Sequence, residues 1–313
     1  MKFKTAENYR QRLTRVIAYM YQHLDRDLDV NTLADVAAMS PYHFHRIYRQ
    51  VAQEPINTTV RRMRLQFAAA ELLRTDSDLA VIANQVSYGS AEAFARAFKK
   101  YFGQSPSEFR TTYGNDQAFD PSKVPMLPNG PKTYLNPYGV ELATEPSFWL
   151  LGYDHQGSYE SIGQSFEKIF QYAKTHNLWR AETRSFGLYF DDPLSVPDED
   201  LRSVACMTID QSLISQFPIG SVINEKPFTE QSNSEPPKSE PGLIEVPGGR
   251  RVHLTYRGPY PTLETPYNWL FGAWIPQSEF EPKNFPPLEE YLNDPKTTPQ
   301  QDLLTRITCL LND

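Results

Sequence analysis

The sequence predicts a multidomain chain: an all-α domain with tandem helix-turn-helix motifs, followed by an α+β domain of two pseudo-symmetric strand-helix-strand-strand repeats. Three observations carry this. Residues 33–98 contain a repeat at an offset of 50, residues 155–310 contain another at an offset of 101 to 102, and a proline-rich stretch lies between them. At 313 residues the chain is long enough for two or three cores.

The first repeat pairs Leu33–Tyr48 with Ile82–Phe98. Ser40, Phe44, Arg46 and Tyr48 fall on Ser90, Phe94, Arg96 and Phe98. Each copy reads as a short apolar helix, a serine-capped turn and a second helix with arginine opposite its apolar stripe. A recognition helix must bury one stripe and offer another to the major groove. In the first copy Phe44, Ile47, Tyr48 and Val51 make the buried stripe, which leaves Tyr42, His45, Arg46 and Arg49 outward. In the second copy Phe94, Ala97, Phe98 and Tyr101 are inward. Ala91, Glu92, Ala93 and Arg96 are then outward, with Lys99 and Lys100 placed to meet phosphates. Arg46 and Arg96 suit guanine edges, and Glu92 suits the cytosine amino group. Amphipathic helix pairs with exposed arginines also occur in ordinary solvated bundles, but two copies in register favour reading of double-stranded DNA.

Pro55 opens a long helix to Leu73, with Val60, Met63, Phe67, Ala70 and Leu73 as its expected stripe and Arg61, Arg62 and Arg64 on its surface. Such a rod fixes the separation of two readers, and successive major grooves on one face of B-DNA lie ~34 Å apart. Residues 8–113 resemble the AraC/XylS-type DNA-binding domain, with the run Ala95–Arg110 matching its second-motif pattern. The resemblance implies seven helices, two major-groove readers and bacterial transcription control, with RNA polymerase as an expected partner.

Charge follows the same division. Residues 1–114 carry 16 Lys+Arg against 11 Asp+Glu, a net of +5, and residues 115–313 carry 15 against 27, a net of −12. That asymmetry joins a nucleic-acid module to something else. Cys206 and Cys309 lack metal or redox spacing and read as small core residues. The N-terminus is polar and basic, and no apolar run spans a bilayer, so the expected location is cytoplasmic, with no membrane partner. No cofactor motif is present.

Asn115–Pro137, with Pro121, Pro125, Pro128, Pro131 and Pro137, reads as an extended linker. The expected domains are therefore 1–114, a linker at 115–137, and 138–313. In the last of these, Gly157, Tyr159, Phe166 and Phe170 fall on Gly258, Tyr260, Tyr267 and Phe271. Farther on, Tyr189, Asp192, Pro193, Pro197, Asp200 and Leu201 fall on Tyr291, Asp294, Pro295, Pro299, Asp302 and Leu303. The halves end in alternating strands at Val204–Ile209 and Arg306–Leu310. Two such units commonly join their sheets about a pseudo-twofold axis, with a cleft between the helices. Glu225–Pro241, rich in Pro, Ser, Glu and Lys, reads as the exposed loop between them.

From about Tyr138 onward the chain resembles the GyrI-like, or bacterial transcription activator effector-binding, domain. The matching words are His155–Tyr159, Tyr189–Pro193, Ile244–Gly249, Tyr256–Tyr260 and Leu288–Pro295. The resemblance implies a site for amphipathic, often cationic, small molecules, lined by aromatic rings around a buried glutamate that falls on Glu289. The residues themselves say less. Glu289 stands opposite Gly187 in the repeat, a carboxylate where the other half has none. Tyr256, Tyr260, Trp269, Trp274, Tyr189, Phe190 and Tyr159 are candidate walls, and ring faces attract cations. Tryptophans at helical spacing are also ordinary core, and Glu289 also reads as one of two surface glutamates. His155 and His253 each stand alone among apolar strand residues, which favours structural histidines over metal ligands.

No residue is assigned a catalytic role, and no Ser/His/Asp or Cys/His arrangement or phosphate loop is evident. The leading expectation is a one-component transcription regulator with a small-molecule effector. Two alternatives stand beside it: a hydrolase acting on electrophilic small molecules, with Glu289 as general base and Tyr260 or Tyr159 as its orienter, and a ligand-independent regulator with a C-terminal protein-interaction surface.

Overall fold

The computed structural model describes residues 2–113, 138–217 and 240–312, with side chains from residue 8 onward. The expected linker at 115–137, and residues 225–239 of the expected loop, lie outside the described residues.

The N-terminal region is helical throughout: α1 (Lys2–Gln22), α2 (Val30–Ala37), α3 (Pro41–Ala52), α4 (Ile56–Arg74), α5 (Leu79–Gln85), α6 (Ala91–Phe102) and α7 (Pro106–Tyr113). Local chemistry sets the ends. Asp29 caps α2 by accepting from the Thr32 amide at 3.0 Å, and Ser90 caps α6 by accepting from the Ala93 amide at 3.1 Å. Ser105 and Glu108 form a reciprocal capping box at the start of α7. Gly103 ends α6 at φ +79°, where an L side chain would be strained. The turns of the two motifs pass through left-handed residues, Ala38 and Ser87.

The stripe expected on α4 holds only in part. Val60 and Met63 are buried, but so are Leu65, Ala68, Ala69 and Leu72, whereas Phe67, Ala70 and Leu73 are half-buried. The reason is that α4 buries more than one side. Leu65, Ala68, Ala69 and Leu72 join Ile82, Ala83, Val86, Phe94, Phe98 and Phe109 in one core. Arg62 pairs with Glu54 at 2.6 Å, and Arg64 donates to the carbonyls of Leu24 and Arg26. These two arginines hold helices together, and of the three only Arg61 is fully exposed.

The C-terminal region is one antiparallel sheet of eight strands: β1 (Val140–Glu145), β2 (Phe148–Gln156), β3 (Ser185–Tyr189), β4 (Arg202–Thr208), β5 (Gly242–Val246), β6 (Gly249–Arg257), β7 (Leu288–Tyr291) and β8 (Leu304–Leu310). Its order is β1-β6-β8-β7-β3-β4-β2-β5. The edge strands β1 and β5 lie beyond the strand-helix-strand-strand pattern expected from sequence. Each precedes a tight connection to the next strand but pairs across the sheet, β1 with β6 and β5 with β2. The helix α8 (Gly163–Thr175) follows β2. After β6 comes α9 (Glu264–Trp269), whose helical path continues through a π-helical turn at Leu270–Trp274.

Strand alternation sorts the sheet's two faces. Leu150, Leu188, Val204, Cys206 and Leu288 share one core, while Leu151 and Met207 pack with Ile169 and Ala173 of α8 on the other. Cys206 and Cys309 are buried free thiols. His253 bonds Thr308 at 2.8 Å and faces Glu145 at 3.2 Å, and His155 bonds Ser158 and Ser161, so both histidines have structural partners.

The described residues fall into two compact units. One holds Glu7–Met39 with residues 48–113, and the other gathers the sheet with Ser40–Ile47, the N-terminal half of α3.

Candidate functional site

On α6 the expected division of faces holds except at the end of the inward stripe, where Ala97 is half-buried and Tyr101 is exposed. Phe94 and Phe98 are buried, Glu92, Arg96, Lys99 and Lys100 are exposed, and Ala91 is half-buried at the helix start. Glu92 sits in the first turn and the two lysines in the last, each on the side the helix dipole favours.

On α3 it does not hold. The outward placement expected for Tyr42, His45, Arg46 and Arg49 is corrected: His45 and Arg46 are buried, and Tyr42 and Arg49 are half-buried. For Tyr42, His45 and Arg46 the cause is the packing of Ser40–Ile47 within the unit of the sheet. The Ser40 hydroxyl donates to Asn284 Oδ1 at 2.9 Å, and its carbonyl accepts from the His43 and Phe44 amides at the start of α3. Tyr42 packs on Phe190 with ring centroids 5.8 Å apart. His43 stacks on Phe271 and donates from Nε2 to the Lys283 carbonyl at 3.2 Å. Arg46 Nη2 donates to the Asp191 carbonyl at 2.7 Å, and its guanidinium lies 4.5 Å from the Tyr267 ring centroid.

Glu289 occupies the middle of the sheet on β7, 5 % exposed, directly opposite Gly187 of β3. Tyr291, two residues on and so on the same face, donates to Glu289 Oε2 at 3.2 Å, and its hydroxyl lies 2.6 Å from that of Tyr189. The Tyr267 hydroxyl also faces the carboxylate, short of regular hydrogen-bond geometry. Tyr260 packs on Tyr291 and Tyr159 on Tyr189, with centroids 5.4 and 4.7 Å apart, and Phe166 of α8 meets Tyr291 edge-on. Burial pushes the Glu289 carboxyl up to about 7, against the pull of Tyr267, Tyr291 and the Arg46 charge. Burial and the Glu289 charge hold the Tyr267 phenol well above its usual range, and push Tyr260 up to about 12.

Of the candidate walls, Tyr189, Tyr260 and Tyr159 gather here. Tyr256, Trp269 and Trp274 do not. Trp269 and Tyr256 pack on Tyr138, Tyr256 bonds Thr262, and Trp274 stacks on Phe280. Phe190 belongs to the core on the opposite sheet face. Tyr291, Tyr267 and Asp191 were missed, though the repeat marks two of them: Tyr291 is the mate of Tyr189, and Tyr267 of Phe166. Asp191 is anchored by a two-point ion pair with Arg202, at 2.9 and 2.5 Å. Its carbonyl accepts from both Arg46 and Tyr159.

Glu290, on the other face, is also buried, between Arg306 at 3.2 Å and Arg184 at 3.5 Å. Glu289, by contrast, is hydrogen-bonded by a phenol. Among the described residues no group of three or more His, Cys, Asp or Glu is placed to hold a metal ion, and no helix is long and apolar enough to cross a membrane.

Residues 139–309 match the GyrI-like small molecule binding domain, and residues 33–112 match a helix-turn-helix domain. Regulatory protein SoxS of Escherichia coli (strain K12) is 30% identical over 95 residues, 30% of this chain and 89% of SoxS. The right origin-binding protein of the same strain is 33% identical over 95 residues, 30% of this chain and 33% of that protein. The EcmrR C-terminal domain structure aligns with 56% of this chain and 98% of its own, at 15% identity and a TM-score of 0.43. The small molecule binding domain spans more than half of the chain, and the helix-turn-helix region spans most of SoxS. The chain therefore belongs to the AraC-type helix-turn-helix transcription regulators that carry a C-terminal GyrI-like domain.

Proposed function

We propose that this protein is a one-component bacterial transcription regulator in which an amphipathic organic cation binds over Glu289 and changes how the helix-turn-helix motifs engage DNA or RNA polymerase. The observation that carries the reading is a buried carboxylate hydrogen-bonded by the Tyr291 phenol, whose ring packs on Tyr260. A cation entering there loses its hydration, and a carboxylate together with ring faces offsets that loss where a neutral site cannot.

In this reading residues 1–114 form the DNA-binding domain, 115–137 the linker and 138–313 the effector domain, and the chain works in the cytoplasm. Arg96 and Glu92 read base edges from α6 beside Ala91, Lys99 and Lys100 hold phosphates, and Tyr42, His45, Arg46 and Arg49 serve α3 when it engages DNA. The effector domain is read as two pseudo-symmetric repeats. In support, the strand order is the same from either end once repeat-mates are exchanged, and the site is built from mates: Tyr159 and Tyr260, Phe166 and Tyr267, Tyr189 and Tyr291, Gly187 and Glu289. Only the last pair breaks the symmetry with a charge, which gives the site a single negative pole.

Calorimetry with an organic cation and its neutral isostere tests the reading. Glu289→Gln is expected to weaken the cation about ten-fold or more, equivalent to ~1.4 kcal/mol. Glu290→Gln, on the opposite face, is expected to change it little. Equal affinities for the two variants overturn the assignment of Glu289.

A second reading has one observation in its favour. Glu289, pushed up to about 7 and bonded to Tyr291, has the protonation behaviour of a general base. Steady turnover of an electrophilic ester or epoxide, lost in Glu289→Gln, would establish it.

A further inference from the structure

The side chain that approaches the Glu289 site in this structure is itself a cation. We infer that Arg46 occupies the cation end of the effector site, and that the effectors are organic cations ending in a planar guanidinium or amidinium that compete with Arg46 and release Ser40–Ile47. This rests on the Glu289 site being the effector site.

The geometry is that of guanidinium recognition. Arg46 Cζ lies 4.5 Å from the Tyr267 centroid and 5.9 Å from that of Phe271, Nη2 donates to the Asp191 carbonyl at 2.7 Å, and the residue is 6 % exposed. The accepting carbonyl is fixed in place, because the Asp191 carboxylate is clamped by Arg202 and its backbone is bonded by the Tyr159 hydroxyl. Shape as well as charge is thus selected, since a flat fork can donate to a carbonyl while its face lies on a ring.

Helix chemistry alone does not place Arg46 there. Arg96, its mate in the first repeat, sits on a helix with the same inward pair of aromatics, Phe94 and Phe98 against Phe44 and Tyr48, and is exposed. What differs is that Ser40–Ile47 packs with the sheet.

The fit is also incomplete, which makes Arg46 displaceable. Arg46 Nε is buried without a hydrogen-bond partner, and the Nδ1 atoms of His43 and His45 are buried short of regular hydrogen-bond geometry, beside the backbone of Phe285 and Phe190. A buried donor left unmade is costly, so a ligand that places its charge over the rings and leaves α3 free to rehydrate gains on both counts. Displacement has a thermodynamic consequence. Effector affinity is reduced by the fraction of chains in which Arg46 is seated, and the same fraction is withheld from DNA reading by α3.

The test uses the full-length protein and the fluorescent probe 4-aminobenzamidine, with neutral 4-aminobenzamide as control. Arg46→Ala is expected to tighten the amidine at least ten-fold and leave the amide unchanged. Glu289→Gln in either background is expected to weaken the amidine. In the unmodified protein, the amidine is expected to speed hydrogen exchange across residues 40–47, a readout that needs no substitution. Glu289-dependent amidine binding of equal strength in wild type and Arg46→Ala, with exchange at 40–47 unchanged, overturns the role of Arg46 and leaves the cation site standing. Amidine binding that is absent in Arg46→Ala, or indifferent to Glu289, overturns the cation site and this inference with it.

Discussion

Gly187 and Glu289 face each other across the β3–β7 pair, and the side chain missing from the first makes room for the hydroxyl network that serves the second. A Cβ at position 187 would come within 2.7 Å of the Tyr189 ring and 2.8 Å of the Tyr291 hydroxyl. Nothing about the backbone at 187 demands glycine; the demand comes from the two phenols crossing above it.

Gly187→Ala therefore tests the network directly. It is expected to part the Tyr189 and Tyr291 hydroxyls and to cost about 1–3 kcal/mol in denaturant unfolding, the usual range for overpacking a core. Cation affinity should fall with it. Wild-type stability and affinity together would show that the phenols do not hold the site.

The protonation of Glu289 sets a pH dependence of stability. Its folded value, about 7, lies above the ordinary 4.5. The folded protein then binds a proton that the unfolded chain has released, and stability present below pH 4.5 is lost as pH rises through about 7. The loss is at most about 3 kcal/mol. Urea unfolding at pH 5 and pH 8 should show wild type losing stability relative to Glu289→Gln over that window. A constant difference between the two proteins would contradict the raised value.

The histidines of α3 act in the opposite sense. Burial, aided by the Arg46 charge, lowers His43 to about 3, and the same causes lower His45 against the pull of Asp192 and Asp191. Stability from their neutral burial is present above about 6.5 and lost as pH falls toward the folded values. Hydrogen exchange across residues 40–47, corrected for intrinsic rates, should be faster at pH 5 than at pH 7.5. His43→Phe, which keeps a ring on Phe271, should shrink that difference.

For DNA, the exposed face of α6 separates base reading from backbone contact. Arg96→Ala is expected to cost ~1–3 kcal/mol on a specific duplex and to relax discrimination at one position. Lys100→Ala is expected to weaken all duplexes alike and to flatten the salt dependence by about one unit. The faces are misassigned if the lysine variant alters base preference and the arginine variant does not.

Much of this was legible in the sequence because repetition reveals what one copy hides. Phe94 and Phe98 are buried and Arg96 exposed as the tandem pattern requires, and Gly187 against Glu289, read from an offset of 102, are neighbours in the sheet. Periodicity failed where an element has more than one buried side, as α4 does, and where a ring's place in the fold, not its type, decides its company. Tyr256, Trp269 and Trp274 had the right chemistry for the site and pack elsewhere. Edge strands β1 and β5 pair across the sheet, a non-local choice that carries no local period. The burial of α3 is the largest departure. Its faint trace is that the face expected outward carries the rings of Tyr42 and His45 beside Arg46 and Arg49, where the outward face of α6 has Glu92 and Arg96 beside alanines.

The most direct measurement of effector control is reciprocal. The full-length protein is titrated onto a duplex obtained by in vitro selection, with and without saturating 4-aminobenzamidine, and the amidine is titrated onto protein with and without that duplex. Coupling between the sites requires the two ratios to be equal. With Arg46 seated over Tyr267, the expected result is mutual tightening, abolished in Glu289→Gln. Duplex affinity indifferent to the amidine in wild type, while the amidine still binds at Glu289, would contradict the account.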